Sequence, residues 1–258
     1  MTMATASYSK VTTWARCSMQ FDYRENQHVP EPFAEPLAFG FATHRLLEEL
    51  NKGGVEVVPG AHEIYLTELA LGELRNSALR SAPESRPNEN ALMVLAKESA
   101  DLALKWWAWD GRFEGPMEVE ARRSRLGHGM QFNGRLDGLV AHDDLPLVIE
   151  YKTAGQTWDE LEFLLQTQGD FYAWLLGGPV VVRHEILVRA TKKLPPRFLS
   201  SERQVSLENI AEVDREIFAF VNRQEEPIRN RGKHCRWCPF LTVCVPGAAE
   251  LRAAKGDD

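Results

Sequence analysis

Residues 131–152 read Gln-Phe-Asn-Gly-Arg-Leu-Asp-Gly-Leu-Val-Ala-His-Asp-Asp-Leu-Pro-Leu-Val-Ile-Glu-Tyr-Lys, and no other stretch constrains the fold of this chain as much. Two runs of strand-forming residues flank the turn-prone His142, Asp143 and Asp144, which predicts a β-hairpin or two adjacent strands. Side chains alternate faces along a strand, so Glu150 and Lys152 share one side while Tyr151 points to the other. Leu147, Val148 and Ile149 read as a buried strand, and a carboxylate ending such a run is costly unless it is paired or bound to a cation. A Glu150–Lys152 pair on a sheet surface is the plainer reading. Asp137 on the preceding strand adds a second carboxylate at the same sheet edge, and two carboxylates beside a lysine suit a hydrated divalent cation such as Mg²⁺.

The 258 residues, 44% hydrophobic and 26% charged, suffice for one large domain, or a domain with appendages, around a real core. No apolar run reaches about 18 residues, and the first residues carry no signal-peptide pattern, so the expectation is a cytoplasmic protein without membrane contact. The formal charge of −7 argues against a surface coated for nucleic acid. Local clusters differ: Arg122, Arg123 and Arg125; Arg183 through Arg189, Lys192, Lys193 and Arg197; and Arg229, Arg231, Lys233 and Arg236. These either bind phosphates in one groove or form solvated loops and strand ends.

Helical spacing predicts a helix over 7–25, capped near Ser7 and with Cys17 inside it, then a proline-rich loop over 26–36. A second helix over 37–52, closed by Gly53-Gly54, carries Gly40 and His44. A lone histidine there reads first as a core or boundary residue, whereas a mid-helix glycine points to close approach by another group. Residues 80–90 form a flexible connection. A helix over 91–110 ends in Trp106, Trp107 and Trp109, which could stack on bases but read first as packing. Residues 116–124 alternate as a strand whose Glu118 and Glu120 read first as a solvated face and otherwise as a further carboxylate for the site. One helix over 158–176 is expected to carry Leu161, Leu164, Leu165, Gln168, Tyr172 and Leu175 in a single stripe. A strand over 180–190 and a helix over 206–222 follow. No phosphate-loop motif is present, which excludes an ATP-driven motor within this sequence.

Cys235, Cys238 and Cys244 lie within ten residues of one another, and the fourth cysteine, Cys17, lies near the opposite end. In a reducing compartment this is a metal site rather than a disulfide framework. Four thiolates suit either tetrahedral Zn²⁺ or an iron–sulfur cluster, and spacing leaves both open. One centre held by all four would pin the N-terminal helix to the C-terminal segment.

Together these motifs resemble the PD-(D/E)xK nuclease superfamily, specifically its RecB-like branch with an iron–sulfur cluster, as in CRISPR-associated "Cas four" exonucleases. Gly40 and His44 match that family's helical histidine following a glycine. Gly134 and Asp137 match its Gly-x-x-Asp strand, and Glu150 and Lys152 its Glu-x-Lys strand. Gln168 and Tyr172 match a Gln-x-x-x-Tyr helix, and the four cysteines match a split pattern of one plus three. The chain departs in having Ile-Glu-Tyr-Lys rather than the commoner Asp-Tyr-Lys, and in having Gly169 within the Gln-to-Tyr turn.

The resemblance implies an α/β fold: a restriction-endonuclease-like core with a central mixed β-sheet flanked by helices. It implies one nuclease domain over 1–258, in which 1–35 and 223–258 form the cluster-binding part and 55–113 a helical insertion. The implied activity is a metal-dependent DNA exonuclease acting at single-stranded ends in recombination, repair or CRISPR adaptation, with protein partners there. Asp137, Glu150, Lys152, Gln168 and Tyr172 would be its catalytic residues. His44, Asp137, Glu150 and the Tyr151 carbonyl would hold Mg²⁺ or Mn²⁺, and Cys17, Cys235, Cys238 and Cys244 a [4Fe-4S] cluster. The competing expectations are a catalytically silent DNA-end binding subunit of a larger complex and a structural zinc protein.

Overall fold

The period-two pattern of the central stretch is realised in a six-stranded mixed sheet. The computed structural model describes residues 5–52, 61–142, 144–223 and 226–245. The Gly53-Gly54 closure and Asp143 lie outside the described residues. The strands are β1 (Thr5–Ala6), β2 (Glu118–Gly127), β3 (Met130–Val140), β4 (Leu147–Ala154), β5 (Val180–Val188) and β6 (Arg197–Val205). The order is β1-β3-β4-β5-β6, with β2 on the remaining edge of β3.

β2 and β3 form a long antiparallel hairpin whose two turn residues, His128 at φ 49 and Gly129 at φ 84, are both left-handed. That turn matches the twist of paired strands. The opposite edge of β3 is divided. β4 pairs with Gly138, Leu139 and Val140, β1 pairs with Gln131 and Phe132, and no described strand pairs with residues 133–137 on that edge. A fork therefore opens in the sheet where Asp137 stands.

Helices cover both faces. α3 (Glu35–Asn51), α4 (Ala61–Arg80) and α5 (Glu89–Trp107) bury Leu46, Leu71, Ala96 and Trp106 against Ile149, Tyr151 and Leu187. On the other face α7 (Gln168–Leu176) and α8 (Leu207–Val221) bury Phe171, Trp174 and Ile217 against Phe132, Val148 and Val182. The alternation along β4 thus sends Ile149 and Tyr151 to one layer and Val148 to the other, with Glu150 and Lys152 on the α7 side. Gly169 makes the α7 packing close: a Cβ there would stand 2.7 Å from Val182 Cγ2. Gly40 likewise faces Thr153 Oγ1, at 3.2 Å from its missing Cβ.

Several expectations need correction. The helix over 7–25 is two helices, α1 (Tyr8–Arg16) and α2 (Ser18–Glu25), and Cys17 sits between them in extended conformation. Contacts distant in sequence cause the break: Met19 N–H donates to the Ile228 carbonyl, and Ser18 Oγ accepts from Ile228 N–H at 2.7 Å. The helix over 158–176 is also divided, into α6 (Glu160–Leu164), with an Asp159 capping box, and α7. Leu161, Leu164 and Leu165 are exposed, so the apolar stripe belongs to α7 alone. β6 has no counterpart in the sequence reading because its charged, alternating residues mark an edge strand rather than a core one. The tryptophan cluster packs: Trp106 is fully buried, Arg112 lies over the Trp107 ring, and Trp109 meets Phe198. No described helix is long and apolar enough to cross a membrane.

Candidate active site

Asp137 stands where β3 loses its pairing with β4, and its carboxylate replaces a ladder partner. Oδ2 accepts the Tyr151 N–H at 2.8 Å, and Oδ1 lies 3.2 Å from His44 Nδ1. His44 reaches the fork from α3 on one face, while α7 supplies Gln168 and Tyr172 from the other. Glu150 is 1% exposed. Its Oε1 accepts from Lys152 Nζ at 2.5 Å, and its Oε2 has no hydrogen-bond partner among the described residues. Lys152 Nζ also donates to Gln168 Oε1 at 2.7 Å, and Gln168 Nε2 donates to the Tyr172 hydroxyl at 2.5 Å. Tyr172 gives its own proton to the Arg135 carbonyl at 3.0 Å, so it cannot also satisfy Glu150. The Tyr151 side chain turns into the helical layer against Trp106 and Asn51, leaving only its backbone at the fork.

Charge in this setting is held in opposing directions. Burial, followed by the nearby Asp137, pushes Glu150 up to about 7, against the pull of Lys152. Burial also acts on Asp137, but His44 and the Tyr151 N–H outweigh it and hold that carboxyl below its usual range. His44 and Lys152 are both raised despite burial, His44 by Asp137 and Lys152 by Glu150. A buried carboxylate oxygen without a donor is a vacancy in the hydrogen-bond inventory that a hard cation satisfies. Among the described residues no three His, Cys, Asp or Glu side chains are grouped to hold an ion, and His44 and Lys152 engage the two carboxylates. His44, Asp137, Glu150 and the Tyr151 backbone are the residues that could hold one after turning from these partners.

This arrangement sets a pH dependence. Above about pH 7 Glu150 is ionised and a cation displaces no proton from it; below that pH each ion bound must release one, and the raised His44 adds a second. Mn²⁺ affinity is expected to fall by about tenfold or more per pH unit on the acid side. Calorimetric titration measures this, and a profile that stays flat between about pH 5.5 and 8 would contradict the assignment.

Glu120 belongs to the same neighbourhood, although strand alternation reads first as a solvated face there. It stands on β2 opposite Asp137 of β3, at φ 55, a left-handed position that interrupts the ladder, and it ion-pairs with Arg135 at 2.5 Å. Burial raises its pKa, Arg135 opposes this, and Asp137 adds to the rise. A cleft of about 920 Å³ contains these groups, with α1 and α3 as walls and the fork as floor.

The four cysteines form a second convergence. Cys17, buried at the α1–α2 break, shares a pocket with Cys235 on a short 3-10 helix (Lys233–Trp237), Cys238 just after it and Cys244 on α9 (Leu241–Cys244), walled by Tyr23 and Phe240. Burial raises the Cys238 thiol, a bond to the Phe240 backbone opposes it, and the other three cysteines add to the rise.

The family model of the PD-(D/E)XK nuclease superfamily matches residues 5–245. The chain belongs to that superfamily. Its members are generally nucleases that use Mg²⁺ or Mn²⁺ and act on DNA, so the fork of this PD-(D/E)XK protein is its candidate active site. No curated protein matches the chain. A solved structure described as the crystal structure of SSO0001 aligns over 95% of this chain and 88% of its own, at 16% identity and a TM-score of 0.44. At that score the likeness carries nothing further.

Proposed function

We propose that this PD-(D/E)XK protein is a Mg²⁺- or Mn²⁺-dependent DNA exonuclease of the RecB-like, iron–sulfur type that works on single-stranded ends. The observation that carries the reading is the buried Oε2 of Glu150 beside Asp137, which has no hydrogen-bond partner among the described residues, with Lys152 held at the same point by Gln168. A cation held by Asp137, Glu150, His44 and the Tyr151 carbonyl would lower the pKa of a water and neutralise charge on the scissile phosphate. Lys152, kept protonated by Glu150, supplies positive charge to the phosphate oxygens in the transition state. Gln168 and Tyr172 fix the lysine's position. The domain organisation follows from the same reading: 1–35 and 223–258 as the cluster-binding part, 55–113 as a helical insertion. So does a cytoplasmic role in recombination, repair or CRISPR adaptation alongside protein partners.

The test is cleavage of end-labelled single and double strands with Mg²⁺ and Mn²⁺ compared. Metal-dependent shortening of single strands from an end is expected, and the absence of cleavage on every DNA with either metal would overturn the assignment. A chain that binds ends yet cuts only with a partner would instead be an end-binding subunit.

The reading includes a [4Fe-4S] cluster rather than one Zn²⁺ ion, because the one-plus-three cysteine pattern resembles that of the RecB-like nucleases and all four cysteines line one pocket. Anaerobically purified protein is expected to absorb near about 400 nm, and Cys17→Ala to lose that band together with the tie between α1–α2 and the C-terminal segment. A colourless wild-type protein containing zinc would reject the cluster.

A further inference from the structure

Leu37 and Phe41 lie one turn apart on α3 and are 55% and 48% exposed, while Ala38, Phe39, Ala42 and Leu46 of the same helix are buried. The core-facing stripe of α3 is complete without them, so burial does not account for their apolar character. Both line the catalytic cleft, and the next turn of the same stripe carries His44 and Arg45. The Phe41 side chain is thus one helical turn from the histidine that contacts Asp137. Across the cleft, on α1, Arg16 is exposed and pairs with no described carboxylate. Apolar side chains on one wall, a cation without a described carboxylate partner on another and carboxylates on the floor match the two sides of an unpaired nucleotide: base faces for the ring, phosphates for the arginine.

We propose that Phe41, supported by Leu37, is a stacking platform for the unpaired base next to the phosphate at Asp137 and Glu150, and that it makes single-stranded DNA ends the preferred substrate. The inference rests on the nuclease reading. In a duplex the base is tied to its complement and stacked on its inner neighbour, so one strand of a paired end enters the cleft and lies on the ring only after unpairing and unstacking. Phe41 is in this sense a positioning residue: it sets which strand enters, while the chemistry stays with the fork.

The experiment uses the full chain and a single-stranded oligonucleotide carrying 2-aminopurine near its end. Binding is followed by fluorescence in EDTA, and cleavage is then followed with Mg²⁺. Wild-type protein is expected to quench the probe, and Phe41→Ala to lose the quench and weaken single-strand binding by about tenfold. The same variant should raise KM on single strands by a similar factor, with kcat within about threefold and duplex cleavage little changed. Phe41→Trp should restore quenching and KM. Val94→Ala, an exposed apolar change on α5 outside the cleft, should leave every measurement unchanged. If the wild type cleaves DNA and Phe41→Ala alters neither quenching nor KM, the platform is wrong and the nuclease reading stands. If the wild type cleaves nothing but still quenches through Phe41, the nuclease reading falls and the platform stands. Absence of quenching in the wild type overturns the platform in either case.

Discussion

Glu150→Gln is expected to reduce DNA cleavage by about 10³-fold or more while leaving the melting temperature in EDTA equal to or above that of the wild type. The two effects have one cause. The Glu150 carboxylate is buried next to Asp137, and burial and that like charge together push its pKa up to about 7, so its ionised form destabilises the metal-free fold at neutral pH. An amide of the same shape keeps an acceptor for Lys152 and removes the buried charge, but it cannot hold a cation as a carboxylate does. The sign follows from the raised pKa. Folding binds a proton between the ordinary carboxylate range and about 7, so the wild type loses stability across that window as pH rises, and the variant does not. Asp137→Ala should lose cleavage equally but also cost about 1–3 kcal/mol, because it leaves the Tyr151 N–H without its acceptor and His44 without its partner. Lys152→Ala should lose cleavage as well. Cleavage of labelled ends and melting curves in EDTA decide the matter, and Mg²⁺-dependent activity retained by all three variants would remove the fork from catalysis.

The second large effect concerns stability. Glu185→Ala is expected to destabilise the protein by about 3–5 kcal/mol, or roughly 10 °C in melting temperature. Glu185 is fully buried on β5, on the face opposite Glu150, and its carboxylate accepts from Trp106 Nε1 at 2.9 Å, Phe113 N–H at 2.7 Å and Arg183 Nε at 2.9 Å. These bonds fasten α5 and the segment after it to the sheet. Truncation strands three donors, one of them charged, where little water reaches. Cleavage per folded molecule should be unaffected, since the carboxylate does not reach the fork. Denaturant melts measure the loss, and a value below about 1 kcal/mol would show that water or side-chain rearrangement replaces the carboxylate.

Local pattern carried much of this into view. The side of β4 on which Glu150 and Lys152 stand follows from strand alternation, and the α3, α5 and α8 helices follow from apolar spacing; the structure adds the Asn88 cap that begins α5 two residues earlier than spacing suggested. The resemblance to RecB-like nucleases named Gln168 and Tyr172, but the spacing within their segment did not show that three exposed leucines precede a separate helix. That division depends on contacts such as Arg203 to the Gln166 carbonyl and Tyr8 to Thr167, distant in sequence. Alternation left Glu120 open between a solvated face and the site for a related reason. Its left-handed backbone and its position across from Asp137 exist only once β2 and β3 are in register.

The sequence by itself determined which residues carry charge, thiols and strand or helix periodicity, because those are properties of neighbours along the chain. Tertiary structure alone decided where they meet. The fork around Asp137 exists because β1 and β4 divide one edge of β3, letting α3 and α7 reach the same point from opposite faces of the sheet. The break at Cys17 exists because Ile228, from the far end of the chain, captures the hydrogen bonds that would have continued the helix.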